Sequence, residues 1–131
     1  MADRCVAVAR GTGNPWVLSF CLKLAHSYLP REDEAATDKT AALEEAIGLA
    51  RQTGDPFLIC QALHGMGDVY LFMKEDAAAE PWYLGSLELA KEIGDTWSIF
   101  DTQSHLGWGH ANRGELTRAG EIFADALRLA A

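Results

Sequence analysis

The sequence predicts an all-α array of helical hairpins, and two observations predict it. The first is a short phrase of two apolar residues, a basic residue, two further residues, Gly, and then Asp or Asn. Its three copies are residues 8–15, 49–56 and 89–96, and a fourth would begin at Leu129. The glycines Gly13, Gly54 and Gly94 are 41 and 40 residues apart. The second observation is that apolar residues between the copies recur at three- and four-residue steps, without strand-like alternation. A fixed period of this kind is typical of a repeat array.

Each copy of the phrase predicts a helix end that is followed at once by a helix start. Gly adopts the left-handed conformation past a helix end without the steric cost of a Cβ atom. The basic residue before it is favoured by the carbonyl end of the helix dipole. Asp or Asn then caps the next helix, and Pro15 and Pro56 suit its first position.

These junctions divide one predicted domain into a lead segment and three hairpins. Residues 1–13 are interpreted as the end of a preceding helix or as an N-terminal cap, so we expect a longer parent array or an abbreviated start. The predicted repeats are residues 14–53, 54–93 and 94–131, with turns at 31–38, 74–76 and 114–115. In repeat 1 the first helix is expected to extend to Leu29.

Pro81 is unusual because it falls about one turn into the helix expected from Ala77. Proline has no amide hydrogen to bond the Ala77 carbonyl, and its ring crowds that group. Either the helix starts late, near Pro81, or its first turn is bent.

Composition excludes several functional classes. The net charge is −8 and no Lys/Arg cluster occurs, so we expect no direct contact with nucleic acid or an anionic membrane. No apolar run approaches the roughly 20 residues of a spanning helix, and no signal peptide is recognisable. Cys5, Cys21 and Cys60 lack CxxC spacing and are expected to be small core residues in a reducing, cytoplasmic setting.

The spacing of small and aromatic residues resembles the tetratricopeptide signature over nearly the whole chain. The matching residues are Gly67, Tyr70, Ala79, Tyr83 and Leu87 in repeat 2, and Leu106, Gly107, Gly114, Ala119, Phe123, Ala126 and Leu127 in repeat 3. Ala25, Tyr28, Ala46 and Ile47 form a weaker first copy. Gly67 and Gly107 are expected to let the paired helix approach closely. The resemblance implies a right-handed superhelical solenoid whose first helices line a concave groove.

The period of about 40 residues exceeds the usual tetratricopeptide period, so each helix is expected to be about a turn longer. Long repeats with this junction are similar to arrays in bacterial regulators of the signal-transduction ATPase class. That resemblance implies a segment that senses a ligand or protein and restrains the rest of a larger regulator.

The resemblance places a partner-binding groove along the first helices. Its predicted positions are Leu22, His26, His64, Asp68, Leu71, Asp101, Ser104, Trp108 and Asn112. Asp68 and Trp108 stand where arrays that clamp a C-terminal carboxylate need Asn, so that ligand class is rejected. Trp108 is singled out because Trp is enriched in interface hot spots, although helix packing would also explain it.

Catalytic, metal and cofactor sites are not predicted. The histidines show no pair at the four-residue helical spacing of zinc ligands, and no Cys/His cluster accompanies them. Asp101, Ser104 and His105 are crowded on neighbouring helical positions and cannot form a hydrolase relay. The glycine pairs at 65/67 and 107/109 lie in predicted helices without a preceding strand, unlike a phosphate-binding loop.

We therefore expect a non-catalytic protein- or peptide-binding scaffold without a cofactor. Two alternatives stay open: a small-molecule sensor with a deep apolar pocket around Leu71 and Trp108, and a structural self-association module. The last helix favours the second. Ile122, Phe123, Ala126, Leu127 and Ala130 are expected to pack inward. Ala124 and Leu129 are left on the outer face, which a second copy or further residues would cover.

Overall fold

The protein is all-α in the computed structural model, which describes residues 2–28 and 34–130. The described residues form seven α-helices and no strand, which confirms the predicted class. Their bounds are Ala2–Thr12 (α1), Pro15–Lys23 (α2), Ala36–Thr53 (α3), Pro56–Phe72 (α4), Asp76–Ile93 (α5), Thr96–Asn112 (α6) and Leu116–Ala130 (α7). Within these ranges, every helix is too short or too polar to cross a membrane.

The three glycine junctions join helix ends directly to helix starts, as predicted. Gly13, Gly54 and Gly94 have φ values of 67°, 72° and 69°, which L side chains rarely adopt. The residue after each glycine caps the next helix: Asp55 Oδ1 accepts from the Phe57 amide at 3.0 Å. The equivalent bonds run from the Trp16 amide to Asn14 Oδ1 and from the Ser98 amide to Asp95 Oδ1.

Each helix packs against its neighbours in the chain, and the first helices of successive hairpins also pack together. α2 contacts α4, and α4 contacts α6. In the described ranges, no Cα atom of α3, α5 or α7 lies within 8 Å of a Cα atom in another of these three helices. α4 and α6 therefore lie side by side, and side chains from both meet between them.

A glycine of the first helix lies directly beneath an aromatic ring of the second helix in hairpins 2 and 3. A Cβ atom at Gly67 would lie 2.6 Å from the Tyr83 ring, and one at Gly107 would lie 2.8 Å from the Phe123 ring. Because packed interiors leave no room for such overlap, a side chain at either glycine would force the helices apart. The predicted close approach is confirmed at both positions.

The buried apolar side chains form a core that runs along the hairpins. α2, α3 and α4 share its largest group, which includes Leu22, Leu43, Leu58 and Met66. Further groups join α4 to the helices that follow it, through Leu71 and Tyr83 in one case and Cys60 and Leu87 in the other.

The first helix of repeat 1 differs from the expectation. It is α-helical only to Lys23 and continues as a π-helical segment, Leu24–Tyr28, while the expected end at Leu29 lies outside the described residues. Ser27 Oγ donates to the Lys23 carbonyl at 2.5 Å, a side-chain bond that competes with the backbone ladder. The π-helical segment has a different number of residues per turn, so residues beyond Lys23 leave the face that a continuous α-helix would give them.

α5 begins at Asp76, five residues before Pro81, so the late-start alternative is wrong. Pro81 lies inside the helix. Both Pro81 and Ala77 are exposed, so water can bond the carbonyl that the proline leaves without an amide partner. A bend at this point stays a prediction.

α7 packs inward through a narrower face than expected. Ala119, Ile122 and Ala126 are buried, but Leu127, which was expected to pack inward, is 66% exposed. The buried residues Ala119, Ile122 and Ala126 follow three- and four-residue steps, which places them on one face of the helix, and Leu127 lies beside that face. Phe123 covers Gly107 and is 37% exposed.

The cysteines are not all core residues. Cys60 is buried, but Cys21 is half-buried and Cys5 is exposed, which corrects the expectation. The Sγ atoms of Cys5 and Cys21 lie 3.4 Å apart, at a cavity of about 340 Å³ between α1 and α2. α1 is held further by a charge-assisted pair between Arg10 and Glu45 at 2.6 Å.

Candidate functional site

The first helices α4 and α6 supply most of the predicted groove residues, and the structure gathers these into two adjoining groups. The first, here named the acid–imidazole cluster, consists of His64 and Asp68 of α4 with Asp101 and His105 of α6. The second, here named the cleft, is lined by Leu71, Phe72, Lys74, Asp76, Trp108 and Asn112. Trp108 connects them, because its ring centroid lies 6.3 Å from that of His105.

Several predicted groove positions are buried and not exposed. Leu22, His64, Asp68 and Leu71 have exposed fractions of 2%, 4%, 5% and 5%. α4 is flanked by α2 and α6 and covered by α5, so its side chains lie in helix contacts. A groove surface therefore depends more on α6 than the sequence suggested.

Three predicted positions lie outside both groups, and one of them, Leu22, is buried in the core. Ser104 turns back to its own helix, where its hydroxyl donates to the Phe100 carbonyl at 2.8 Å. His26 lies in the π-helical segment and pairs through Nδ1 with Glu34. Neither side chain lines the cleft or bonds to the cluster.

The cleft has a volume of about 560 Å³ and a mixed lining. Trp108 and Phe72 present apolar surface and are 47% and 51% exposed, while Leu71 forms a buried part of the wall. At its polar side, Asn112 Nδ2 donates to Asp76 Oδ1 at 3.3 Å. The cleft thus offers two exposed aromatic rings beside groups that form hydrogen bonds.

The acid–imidazole cluster is organised around Asp68. Its Oδ1 accepts from the Tyr83 hydroxyl at 2.6 Å and lies 2.8 Å from His105 Nδ1. Its Oδ2 lies 3.3 Å from His64 Nε2. His64 Nδ1 lies 2.9 Å from Thr102 Oγ1, so both ring nitrogens of His64 have a partner.

Burial and pairing shift the ionisation of this cluster. Burial alone would raise the pKa of Asp68, but hydrogen bonds and positive charge from His105 and His64 outweigh it and hold that pKa well below its usual range. Burial lowers the pKa of His105, and the bond and charge of Asp68 reverse this to a net rise. Burial and then the Asp68 charge raise the pKa of Tyr83, so its hydroxyl stays a donor.

Asp101 forms the open edge of the cluster. Its side chain is 40% exposed, against 27% for His105 and 5% for His64. Its oxygens lie 3.6 Å from His64 Nε2 and 3.9 Å from His105 Nε2. The two imidazoles and this carboxylate therefore converge on a point that is accessible from solvent.

Sequence reasoning missed His105 and Tyr83 as members of the site. The relevant signal was a pair of acid and imidazole residues four apart on each of two first helices, His64 with Asp68 and Asp101 with His105. Residues on one helix at this spacing share a face, and adjacent first helices turn such faces toward each other. Searching for two histidines on a single helix overlooked this pattern.

Comparison with known proteins shows similarity over part of the chain. No protein-family model matches the chain. A 73-residue stretch is 32% identical to a protein of Mycobacterium tuberculosis (strain H37Rv) named "Putative HTH-type transcriptional regulator", and equally to one of the same description from Mycobacterium bovis. The stretch covers 56% of this chain and 8% of each relative. The similarity is thus to a short segment of these regulators.

Proposed function

We propose that this chain is a non-catalytic helical-repeat module of the tetratricopeptide type, which binds a protein or peptide within a larger transcriptional regulator. In this proposal residues 1–131 form one domain, and its three hairpins follow a right-handed solenoid. The cleft between α4 and α6 is the binding surface, and no cofactor takes part.

The helix contacts support the solenoid. First helices pack on first helices, while the backbones of the second helices stay apart, which is the pattern of an array whose inner layer is closer packed than its outer layer. The same junction recurs at Gly13, Gly54 and Gly94, so the chain enters each hairpin through a turn of the same backbone conformation.

The cleft is the single observation that carries the binding role. Exposing aromatic side chains to water is unfavourable in free energy. Trp108 of α6 and Phe72 of α4 are nevertheless about half exposed, and both line the cleft. Interface hot spots are enriched in Trp and are surrounded by polar groups, and Asp76, Lys74 and Asn112 supply such a rim.

The relatives support the wider context. They are described as HTH-type transcriptional regulators, and the aligned stretch is only 8% of their length. DNA contact by this segment itself is disfavoured by its net charge of −8, because binding to phosphates needs a basic face. The proposed role is therefore an interaction segment, with DNA binding carried elsewhere in a longer protein.

A small-molecule sensor is the second candidate, because Leu71 and Trp108 line one cleft, although that alternative calls for a deep apolar pocket and this lining is mixed. The other lining residues favour a peptide. Lys74, Asp76 and Asn112 would be left poorly paired by an apolar ligand, and a buried polar group without a partner costs free energy.

Panning of a displayed library of random short peptides against the intact chain tests the binding role. Enriched peptides are expected to bind the wild type, and Trp108→Ala is expected to weaken them by about 30-fold, the equivalent of about 2 kcal/mol for a hot-spot Trp. Trp97→Ala is the matched control, since Trp97 is 70% exposed on the same helix but does not line the cleft.

Two results would contradict the proposal. One is a library that yields no binder while an apolar dye such as anilinonaphthalene sulfonate binds and is lost in Trp108→Ala; this would favour the sensor. The other is a set of peptides whose affinity depends on Trp97 and not on Trp108. Helix content measured by circular dichroism must be equal in all variants.

A further inference from the structure

The acid–imidazole cluster has the donor set and spacing of a metal centre. We infer that His64, Asp101 and His105 bind a divalent transition-metal ion, and that Zn²⁺ is the ion that fits best. This goes beyond the proposed binding role, because the ligands are not part of the cleft and the metal is not needed for the cleft to exist.

The three ligand groups already converge. Their donor atoms all lie within 4.8 Å of one another. His64 Nε2 lies 3.6 Å from Asp101 Oδ2, and His105 Nε2 lies 3.9 Å from Asp101 Oδ1. Zinc bonds of about 2.0–2.2 Å place neighbouring donors of a tetrahedron roughly 3.3–3.6 Å apart. The donor atoms must therefore move slightly closer for an ion to bind, and Asp101, whose side chain is 40% exposed, has the most room to move.

The other ring nitrogens are held as metal-bound imidazoles require. A ligating His generally donates its second N–H to a carboxylate or another acceptor, which fixes the tautomer and the ring orientation. His105 Nδ1 meets Asp68 Oδ1 at 2.8 Å, and His64 Nδ1 meets Thr102 Oγ1 at 2.9 Å. Both arrangements leave Nε2 as the atom that faces Asp101.

The support extends one bond further out. Asp68 is itself fixed by the Tyr83 hydroxyl at 2.6 Å and is 5% exposed. A carboxylate held on both sides cannot easily turn away, so the His105 ring keeps its direction. The chain Tyr83–Asp68–His105 is thus an oriented support for one ligand, a construction that ordinary surface histidines lack.

The donor set selects the class of ion. Two imidazoles and one carboxylate suit zinc and its transition-metal neighbours, whereas Ca²⁺ and Mg²⁺ prefer oxygen ligands alone. Three protein ligands leave a fourth position of a tetrahedron open. Because Asp101 and His105 are 40% and 27% exposed, water or a ligand carboxylate has access to an ion held there.

Two contacts compete with the ion. His64 Nε2 lies 3.3 Å from Asp68 Oδ2, and this contact must be given up when the ion binds. Lys23 adds a positive charge near Asp68 and Asp101, although its ammonium is bonded to Gln61 Oε1 at 3.2 Å. Removing that charge is expected to strengthen metal binding.

Calorimetric titration of the chelator-treated 131-residue chain with Zn²⁺ tests the site. One ion per chain is expected, and Co²⁺ is expected to give the intense visible absorption of a tetrahedral complex. Asp101→Asn and His105→Gln are each expected to lower the Zn²⁺ affinity about 10-fold or more, the loss that removal of even an outer partner of a metal site can cause. Lys23→Met is expected to raise it.

Matched controls keep the ligand set fixed. His26→Gln removes an imidazole and Asp125→Asn removes a carboxylate, and both residues lie outside the cluster. Neither change is expected to alter affinity or the Co²⁺ spectrum. Circular dichroism establishes that each variant keeps its helix content.

The inference is overturned if the wild-type chain binds no Zn²⁺ at millimolar concentration, whatever the variants do. It is also overturned if Asp101→Asn binds as tightly as the wild type, or if His26→Gln abolishes binding. Failure of the metal site and failure of the binding role are distinguished by peptide panning in the presence of a chelator. A chain without metal keeps its cleft residues and is still expected to yield peptide binders.

Discussion

The Tyr83 hydroxyl donates a 2.6 Å hydrogen bond to Asp68 Oδ1 beneath the contact between α4 and α5. The same ring covers Gly67, so one side chain both closes the hairpin and fixes the buried carboxylate. Phe123, which occupies the equivalent place over Gly107 in the next hairpin, has no hydroxyl. The ring is thus part of the repeat packing, while its hydroxyl is particular to the acid–imidazole cluster.

Tyr83→Phe is expected to lower the free energy of unfolding by about 1.5–3 kcal/mol, the usual contribution of a hydrogen bond to a charged group. The ring stays in place over Gly67, so the loss reports on the hydroxyl. Urea unfolding at neutral pH measures it. Tyr70→Phe is the control, because the Tyr70 hydroxyl has no bond within the described residues; an equal effect of both changes would contradict this role of Tyr83.

Gly67→Ala is expected to destabilise the protein by about 1–3 kcal/mol, because the added Cβ atom would meet the Tyr83 ring at 2.6 Å. Gly107→Ala is expected to act in the same direction against Phe123. Gly48→Ala is the matched control: it lies within α3 with open space around it, and Ala should raise helix stability by about 0.5–1 kcal/mol. Thermal unfolding that shows the same sign for Gly48→Ala and Gly67→Ala would refute the packing argument.

Lys74→Gly is expected to stabilise the chain. Lys74 has a φ of 59° in the turn between α4 and α5, whereas Gly114 has a φ of 79° at the equivalent turn 40 residues later. The left-handed conformation costs a residue with a Cβ atom roughly 1–2 kcal/mol of strain, which Gly does not have. Gly loses more conformational entropy on folding, and this offsets part of the gain. A net gain of about 0.5–1 kcal/mol in urea unfolding is expected, and a loss would show that the Lys74 side chain stabilises the turn.

Self-association through the C-terminal helix stays a prediction, and the exposed leucines of α7 give it a sharper form. Leu116 and Leu127 are 71% and 66% exposed. If this face pairs with a second copy, light scattering at high concentration should give a mass above 14.3 kDa, and Leu127→Glu should return it to that value. Leu84→Glu, at an exposed leucine of α5, should not. A monomeric wild type at every concentration would rule this surface out as a self-association site.

The hairpins could be predicted from the sequence because their determinants are local. Gly54 ends one helix, and Asp55 caps the next through contacts within a few residues. The phrase therefore forms the same helix junction at each of its copies. The recurrence of Gly67 and Tyr83 as Gly107 and Phe123 then shows which helices pair. Both inferences use contacts within one hairpin and the repetition of that hairpin along the sequence.

The site could be predicted only in part, because it depends on how α4 and α6 meet. Asp68 looked like an exposed groove residue, but α5 covers it with Tyr83, and His105 reaches it from 37 residues away. Such a contact depends on how two helices pack against each other, and the residue spacing along one helix does not predict it. Trp108 was singled out by its side-chain type alone, and the structure places it in the lining of the cleft.

The binding role of the cleft is tested most directly by mapping a panned peptide onto the chain by NMR chemical-shift perturbation. The largest changes are expected at Leu71, Phe72, Trp108 and Asn112, which line the cleft between α4 and α6. Backbone amides of α3, which contacts α4 but has no Cα atom within 8 Å of a Cα atom of α6, should change little. Perturbations concentrated on α3 or α7, with Trp108 unaffected, would contradict the proposed binding surface.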